Sequence, residues 1–232
     1  MNAQELAKYF DHTALKAETT LDDIKRLCHE ARQLGTASVC INPTWIPFAR
    51  QELDGSSVMV ITVIGFPLGA MSTSAKIFEA RDAIECGAQE IDMVLAVGKM
   101  KSQDHEYVKH EIRSIQAACG DIPLKVIFET CYLTEHEIEM ATRWCAEYGV
   151  AFVKTSTGFG SRGASVRDLE IMRQTILSVP ESPTRIKASG GIRTLDDVQK
   201  MIAAGADRIG ASATVGIIGE LTGKKHHVKS DY

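Results

Sequence analysis

The chain has 232 residues, of which 44% are apolar and 24% charged, with a formal net charge of −4 at neutral pH. Those figures fit one domain with a sizeable core. They argue against a general nucleic-acid binder, which would show a basic excess, while leaving room for a local basic pocket around a small anion.

The opening stretch MNAQELAKYFDH has neither a basic n-region nor an apolar h-region, so no signal peptide is expected. No apolar run approaches the roughly 18 residues of a membrane span. A short N-terminal helix is expected, then a short strand over residues 9–13. From there β-branched runs alternate with amphipathic ones. Strands are expected over residues 37–41, 58–64, 90–95, 125–129, 150–154, 185–188 and 207–210. The helical patterns between them cover 21–33, 73–86, 103–118, 134–148, 166–178 and 195–203, with shorter ones at 47–53 and 213–218. Thr134 precedes Glu137 by three residues, a capping-box pattern. Gly35, Gly87, Gly149 and Gly205 each close a helical run just before a strand. A repeated helix–glycine–strand unit implies a parallel sheet. Eight strands in so short a chain predict a single (β/α)8 TIM barrel over residues 1–222, with a flexible polar tail over 223–232.

Strand parity sorts the charges. Ile91, Met93 and Leu95 share one face of EIDMVL, and Glu90 and Asp92 share the other. Lys154 lies on the face of Phe152, Lys187 on that of Arg185, and Lys125 on that of Glu129. The apolar faces should meet the helices, which leaves the charged faces pointing into the barrel. Buried charges must pair, meet water or serve chemistry. Glu90 and Arg185, early in their strands, are expected to form a structural ion pair at the bottom. Asp92, Lys154 and Lys187 lie later, towards the C-terminal rim where barrels of this kind carry their active sites.

A lysine amine is a nucleophile only when deprotonated, and its ordinary value near 10.4 leaves little free amine at neutral pH. Burial or a second cation lowers that value. Lys154 and Lys187 end neighbouring strands on the inward face, close enough for one to depress the other. Asp92 would offset part of the repulsion and shuttle protons. Spacing alone allows the two lysines to exchange roles. Glycine-containing turns follow both lysine strands, at Gly158 and at Gly190-Gly191, and the last strand leads through Gly210 and Ser212 into a helix start. Backbone N–H groups in such turns, with a helix dipole, hold phosphate. Arg162 and Arg193 could assist. Two other readings fit the same residues: a phosphate-binding isomerase or synthase working without an imine, and a non-catalytic phosphosugar-binding barrel.

The six cysteines, Cys28, Cys40, Cys86, Cys119, Cys131 and Cys145, form no CxxC pair, and His136 stands alone near Cys131. No zinc-type spacing results. Free thiols in apolar segments point to a reducing, cytoplasmic setting. Trp45 and Trp144 read as packing residues, and His226-His227 as a solvated tail.

EIDMV, VKTSTGF, KASGGIRT and RIGAS, with FDHTALK, VCINP, VIGFPLGA and KVIFETCYLT, occur in an order that resembles the deoxyribose-phosphate aldolase family, class I aldolases. The resemblance covers nearly the whole chain. It implies Lys154 as the Schiff-base lysine, Lys187 as the lysine that lowers its pKa, and Asp92 as the acid that moves protons through water. It further implies Gly158, Gly190, Gly191, Gly210 and Ser212 in phosphate-binding loops, Asp11 lining the active site and Cys40 facing the pocket. Tyr232 would reach the site as a proton donor. No cofactor and no metal are implied. The expected partners are small molecules, a phosphorylated deoxysugar and acetaldehyde, with no nucleic acid and no membrane; the family suggests a homodimer.

Overall fold

The structure is a computed structural model that describes residues 1–223. His226, His227 and Tyr232 lie outside the described residues, as does nearly all of the expected tail.

In chain order the elements are α1 (Ala3–Ala7), β1 (Phe10–Ala14), α2 (Leu21–Leu34), β2 (Ser38–Ile41), α3 (Ile46–Glu52), β3 (Met59–Ile64), α4 (Thr73–Glu85) and β4 (Glu90–Val94). There follow α5 (Val97–Lys101), α6 (His105–Cys119), β5 (Leu124–Ile127), α7 (Glu135–Glu147), β6 (Phe152–Lys154), α8 (Val166–Leu177), β7 (Arg185–Ser189), α9 (Leu195–Ala203), β8 (Arg208–Ala211) and α10 (Thr214–Leu221). Every strand pairs in parallel with its sequence neighbours, and β8 closes on β1 with Asp11 opposite Gly210. The barrel is the expected (β/α)8 fold. The short helix α5 has no counterpart in the expected elements.

Local chemistry sets the element ends. Helices α2, α7 and α9 each begin with a full capping box, Thr20/Asp23, Thr134/Glu137 and Thr194/Asp197, in which side chain and backbone satisfy each other's N–H groups. All four glycines expected after helices have positive φ. Helix α2 buries Ile24, Leu27, Cys28 and Ala31, an i, i+3, i+4, i+7 stripe against the sheet. Ile91, Met93 and Leu95 pack in the same layer between strands and helices, so the apolar faces do point outward. Trp144 is buried in that layer and Trp45 packs against it.

Two expectations at the strands are corrected. Strand β5 ends at Ile127, and Glu129 stands beyond it with φ 52 and ψ 64, a left-handed backbone that no strand contains. Arg185 does not pair with Glu90. It is exposed at the start of β7, in register with Phe152, and its guanidinium stacks 4.1 Å from that ring. Glu90 instead meets Lys125 Nζ at 2.5 Å and Arg208 Nη1 at 3.4 Å. The reason is register. Arg208 lies level with Lys187 on β8, one layer above Arg185, and so reaches inward to the carboxylates.

One buried ion pair joins the helical layer to the strands. Glu111 occupies the core-facing stripe of α6 beside Val108, Ile112 and Ile115. Lys76 of α4 donates to Glu111 Oε1 at 2.7 Å and to the Val94 carbonyl at 2.8 Å, and Glu111 Oε2 accepts the Ala96 N–H at 3.0 Å. The pair therefore holds the end of β4, the strand that carries Asp92. Lys76→Met leaves a carboxylate stranded in the core and is expected to lower stability by about 3–5 kcal/mol, read as the midpoint shift in urea unfolding. Lys76→Met/Glu111→Leu should recover much of that loss. A double variant no more stable than the single would contradict this account.

Candidate active site

Asp92 is the third residue of β4, Lys154 the last of β6, Lys187 the third of β7 and Asp11 the second of β1. Lys154 and Lys187 stand opposite each other in the ladder. Parity turns all four side chains inward, where they meet. Lys154 Nζ and Lys187 Nζ both donate to Asp92 Oδ2, each at 2.7 Å. Lys187 Nζ also lies 2.5 Å from Asp11 Oδ2. Lys125 Nζ donates to Asp92 Oδ1 at 2.8 Å. Arg208 Nη1 and Ser38 Oγ each donate to Asp11 Oδ1 at 2.6 Å. Below them Phe152 presents its ring to Lys125, Arg185 and Arg208, a floor of cation–π contacts.

The cluster contains the cations Lys125, Lys154, Lys187 and Arg208 against the carboxylates Asp11, Asp92 and Glu90, so it holds one positive charge in excess. All seven residues are buried. Burial works against the charged form of Asp92, but Lys125, Lys154 and Lys187 outweigh it and hold the carboxyl well below the usual range. Asp11 behaves likewise: burial is outweighed by Lys187 and Arg208, and its carboxyl is held down. Burial also opposes charge on Lys187, yet Asp11 and Asp92 together push it above the ordinary lysine value. Lys154 goes the other way. Burial lowers it, Asp92 offsets part of this, and the Lys187 ammonium lowers it further. The two lysines differ because one has two carboxylates and the other shares a single oxygen with a rival cation.

A cavity of about 580 Å³ opens at the C-terminal ends of the strands. Lys154 is the one member of the cluster that lines it; Lys187, Asp92 and Asp11 lie behind. Gly158, Gly190, Gly191, Gly210 and Ser212 all line it too, together with Lys16 and Arg193. Among the described residues, the N–H groups of Gly158, Gly190, Gly191 and Ser212 have no protein acceptor. These donors, two cationic side chains at the rim and the N-terminus of α10 converge on one space, which suits a phosphate.

Close backbone contacts build this wall. Gly190 has φ +82, and its carbonyl accepts the Ala164 N–H at 3.1 Å. A β-carbon on Gly163 would stand 1.9 Å from that carbonyl oxygen, so the segment after β6 lies directly on the turn after β7. Gly210 acts through space rather than conformation: a β-carbon there would come within 3.1 Å of Lys187 Cε.

Some residues stand apart from their expected places. Arg162 does not line the cavity; Asp168 takes its guanidinium through both carboxylate oxygens, at 2.5 and 3.1 Å. Cys40 is fully buried among Leu15, Ile61 and Val63, and burial pushes its thiol pKa up. Lys16, Lys125 and Arg208 were not assigned to the site from sequence. Lys125 lies in register with the inward Asp92, and Arg208 lies two residues before Gly210, so parity marks both as inward. All six cysteines are free. Among the described residues no group of three or more His, Cys, Asp or Glu is placed to hold a metal ion, and no helix is long and apolar enough to cross a membrane.

A family model described as DeoC/LacD family aldolase matches residues 5–229. A deoxyribose-phosphate aldolase of Mannheimia succiniciproducens is 52% identical over 218 residues, which cover 94% of this chain and 96% of that protein. A solved chain from Coccidioides immitis, assigned as a deoxyribose-phosphate aldolase, superposes with a TM-score of 0.92 at 41% identity, covering 96% of this chain and 87% of that one. The tetrameric deoxyribose phosphate aldolase of Aeropyrum pernix gives a TM-score of 0.85 at 28% identity, covering 95% of this chain and 92% of that one.

The charge cluster has a consequence for acid stability. Asp11 and Asp92 titrate lower in the folded chain than in the unfolded one, where the value is about 3.9. Their contribution is complete above that value and is lost as pH falls through the folded values. Urea-unfolding free energy should therefore drop below about pH 4. In Asp92→Asn the acid slope should flatten, with stability already reduced at neutral pH. An unchanged slope in that variant would place the acid sensitivity elsewhere.

Proposed function

The chain belongs to the DeoC/LacD family of aldolases, and on that premise we propose that it reversibly cleaves 2-deoxy-D-ribose 5-phosphate to acetaldehyde and D-glyceraldehyde 3-phosphate through a Schiff base on Lys154. The observation that carries this reading is the contrast between the two lysines. Lys154 borders the cavity with a lowered pKa, and Lys187 sits behind it with a raised one.

In the cleavage direction the neutral Lys154 amine adds to C1 of the open-chain sugar, and the carbonyl oxygen takes a proton. Loss of water from the carbinolamine gives a protonated imine. A base removes the C3 hydroxyl proton, the C2–C3 bond breaks, and its electron pair flows into the imine to form an enamine. Glyceraldehyde 3-phosphate leaves. Protonation of the enamine carbon and hydrolysis release acetaldehyde and restore the amine. In the synthetic direction the enamine attacks the aldehyde of the phosphorylated partner.

The protein's contribution is electrostatic and positional. Lys187 remains an ammonium and favours the neutral amine on Lys154. Asp92 Oδ2 accepts from both nitrogens, so a proton leaving Lys154 passes along an existing hydrogen bond to the Asp92 carboxylate and from there to water in the cavity. With its carboxyl held low, Asp92 stays a carboxylate and carries the proton only in passing. Asp11 keeps Lys187 in place. The N–H groups of Gly158, Gly190, Gly191 and Ser212 hold the phosphate, with Lys16 and Arg193 adding charge, and Gly210 leaves room for Lys187. This chemistry serves deoxyribose and deoxyribonucleotide breakdown.

Borohydride added with acetaldehyde should leave a reduced two-carbon adduct on Lys154, located by intact-mass measurement and peptide mapping. An isomerase using Lys154 only as a clamp would show no adduct there. Lys154→Met should lose activity by a factor on the order of 10⁴. Removing the neighbouring cation in Lys187→Met raises the Lys154 pKa. The acid limb of the pH–rate profile should then move to higher pH, with kcat at neutral pH lower by about 10²-fold. A limb that stays in place would exclude Lys187 as the tuning charge.

A further inference from the structure

Glu129 is buried, and among the described residues its carboxylate forms no ion pair. It also has a left-handed backbone, φ 52 and ψ 64, which a β-carbon disfavours. A buried, uncompensated carboxylate on an unfavourable backbone is costly twice over, so its contacts should reveal a purpose.

Those contacts go to one residue. Both carboxylate oxygens accept the Thr157 N–H at 3.3 Å, and Oε2 also accepts the Thr157 hydroxyl in a short hydrogen bond. Thr157 Oγ1 in turn accepts the Phe159 N–H at 3.0 Å. The N–H groups on either side of Gly158 are thereby committed, and that of Gly158 is left uncommitted at the cavity wall. The surroundings hold Glu129 in this conformation. The Thr130 N–H donates to the Thr155 carbonyl at 3.0 Å, and Arg162 donates to the Thr130 carbonyl at 3.1 Å. The loop also closes tightly over the carboxylate: a β-carbon on Gly160 would stand 3.0 Å from Glu129 Cδ and 2.7 Å from Cys131 Sγ.

We infer that Glu129 is a positioning residue which, through Thr157, sets the turn after Lys154 so that the Gly158 N–H faces the phosphate of the substrate. The inference rests on the phosphate-binding reading given above. It assigns Glu129 no contact with the reacting carbons, so it should govern binding of the phosphorylated end and leave the imine chemistry alone.

Glu129→Gly is the informative variant, because glycine keeps the left-handed backbone without strain while removing the carboxylate. Cleavage of 2-deoxyribose 5-phosphate should show KM raised about tenfold, the scale of one lost hydrogen bond to a charged group, with kcat nearly unchanged. Cleavage of 2-deoxyribose, which lacks the phosphate, should be unaltered, and Glu129→Gln should restore most of the lost affinity. Thr157→Val removes the other end of the contact and guards against a Glu129→Gly chain that fails to fold. It should raise KM for the phosphorylated sugar alone. An unchanged KM in these variants, or equal losses on both sugars, overturns the inference. Borohydride trapping of acetaldehyde on the wild-type chain separates the two readings: no adduct sinks the Lys154 assignment, whereas an adduct with unchanged KM in the variants sinks the Glu129 assignment alone.

Discussion

Asp92 is the carboxylate around which this barrel is charged. One of its oxygens receives Lys154 and Lys187, the other receives Lys125. Three ammonium groups on one buried carboxylate would be untenable if Asp11 and Glu90 did not share the load through Lys187, Arg208 and Lys125. Even so the cluster keeps one surplus positive charge. The least costly way to remove it is to deprotonate the cation with the weakest claim on a carboxylate, and that cation is Lys154. Under the proposed function, stability and chemistry are one electrostatic problem: the fold is relieved by the same proton loss that would create the nucleophile.

The barrel divides the work by height. Charged residues lie within the strands, where ladder pairing and close packing fix them. The groups suited to holding an anion are backbone N–H groups on the turns above. Gly210 is one point where the layers touch, since a side chain there would press on Ser189 and Lys187. Glu129 is another. It leaves the strand layer through a left-handed backbone and reaches the turn after Lys154. Glu129 thus breaks a local backbone rule at a point where the two layers meet, and its surroundings hold it there.

Much of this was legible in the sequence, for physical reasons that can be named. Strand parity has a period of two, so EIDMVL and RIKAS state unaided which residues face inward. Capping chemistry is local, so Thr134 and Glu137 announce a helix start before any tertiary contact forms. The misreadings share an opposite cause. Arg185 and Glu90 are both early in their strands, but the tilt and register of a closed barrel place Arg208 beside Glu90 and leave Arg185 over Phe152. Arg162 reads as a free cation near a glycine turn; Asp168, six residues away, takes it. Glu129 continues an alternating pattern that the chain abandons after Ile127.

By itself, then, the sequence determined the repeating unit, the number of strands, the inward face of each, and the family resemblance in its motifs. All of these follow from short-range periodicity and from residues a few positions apart. Which lysine has its amine pKa lowered was beyond it, because Lys154 and Lys187 are equivalent in spacing and differ only in what faces them across the barrel. Asp11, far away on β1, lies against one lysine and not the other. Only closure of β8 onto β1 brings that second carboxylate into place, and an electrostatic asymmetry of this kind exists only once the first and last strands meet.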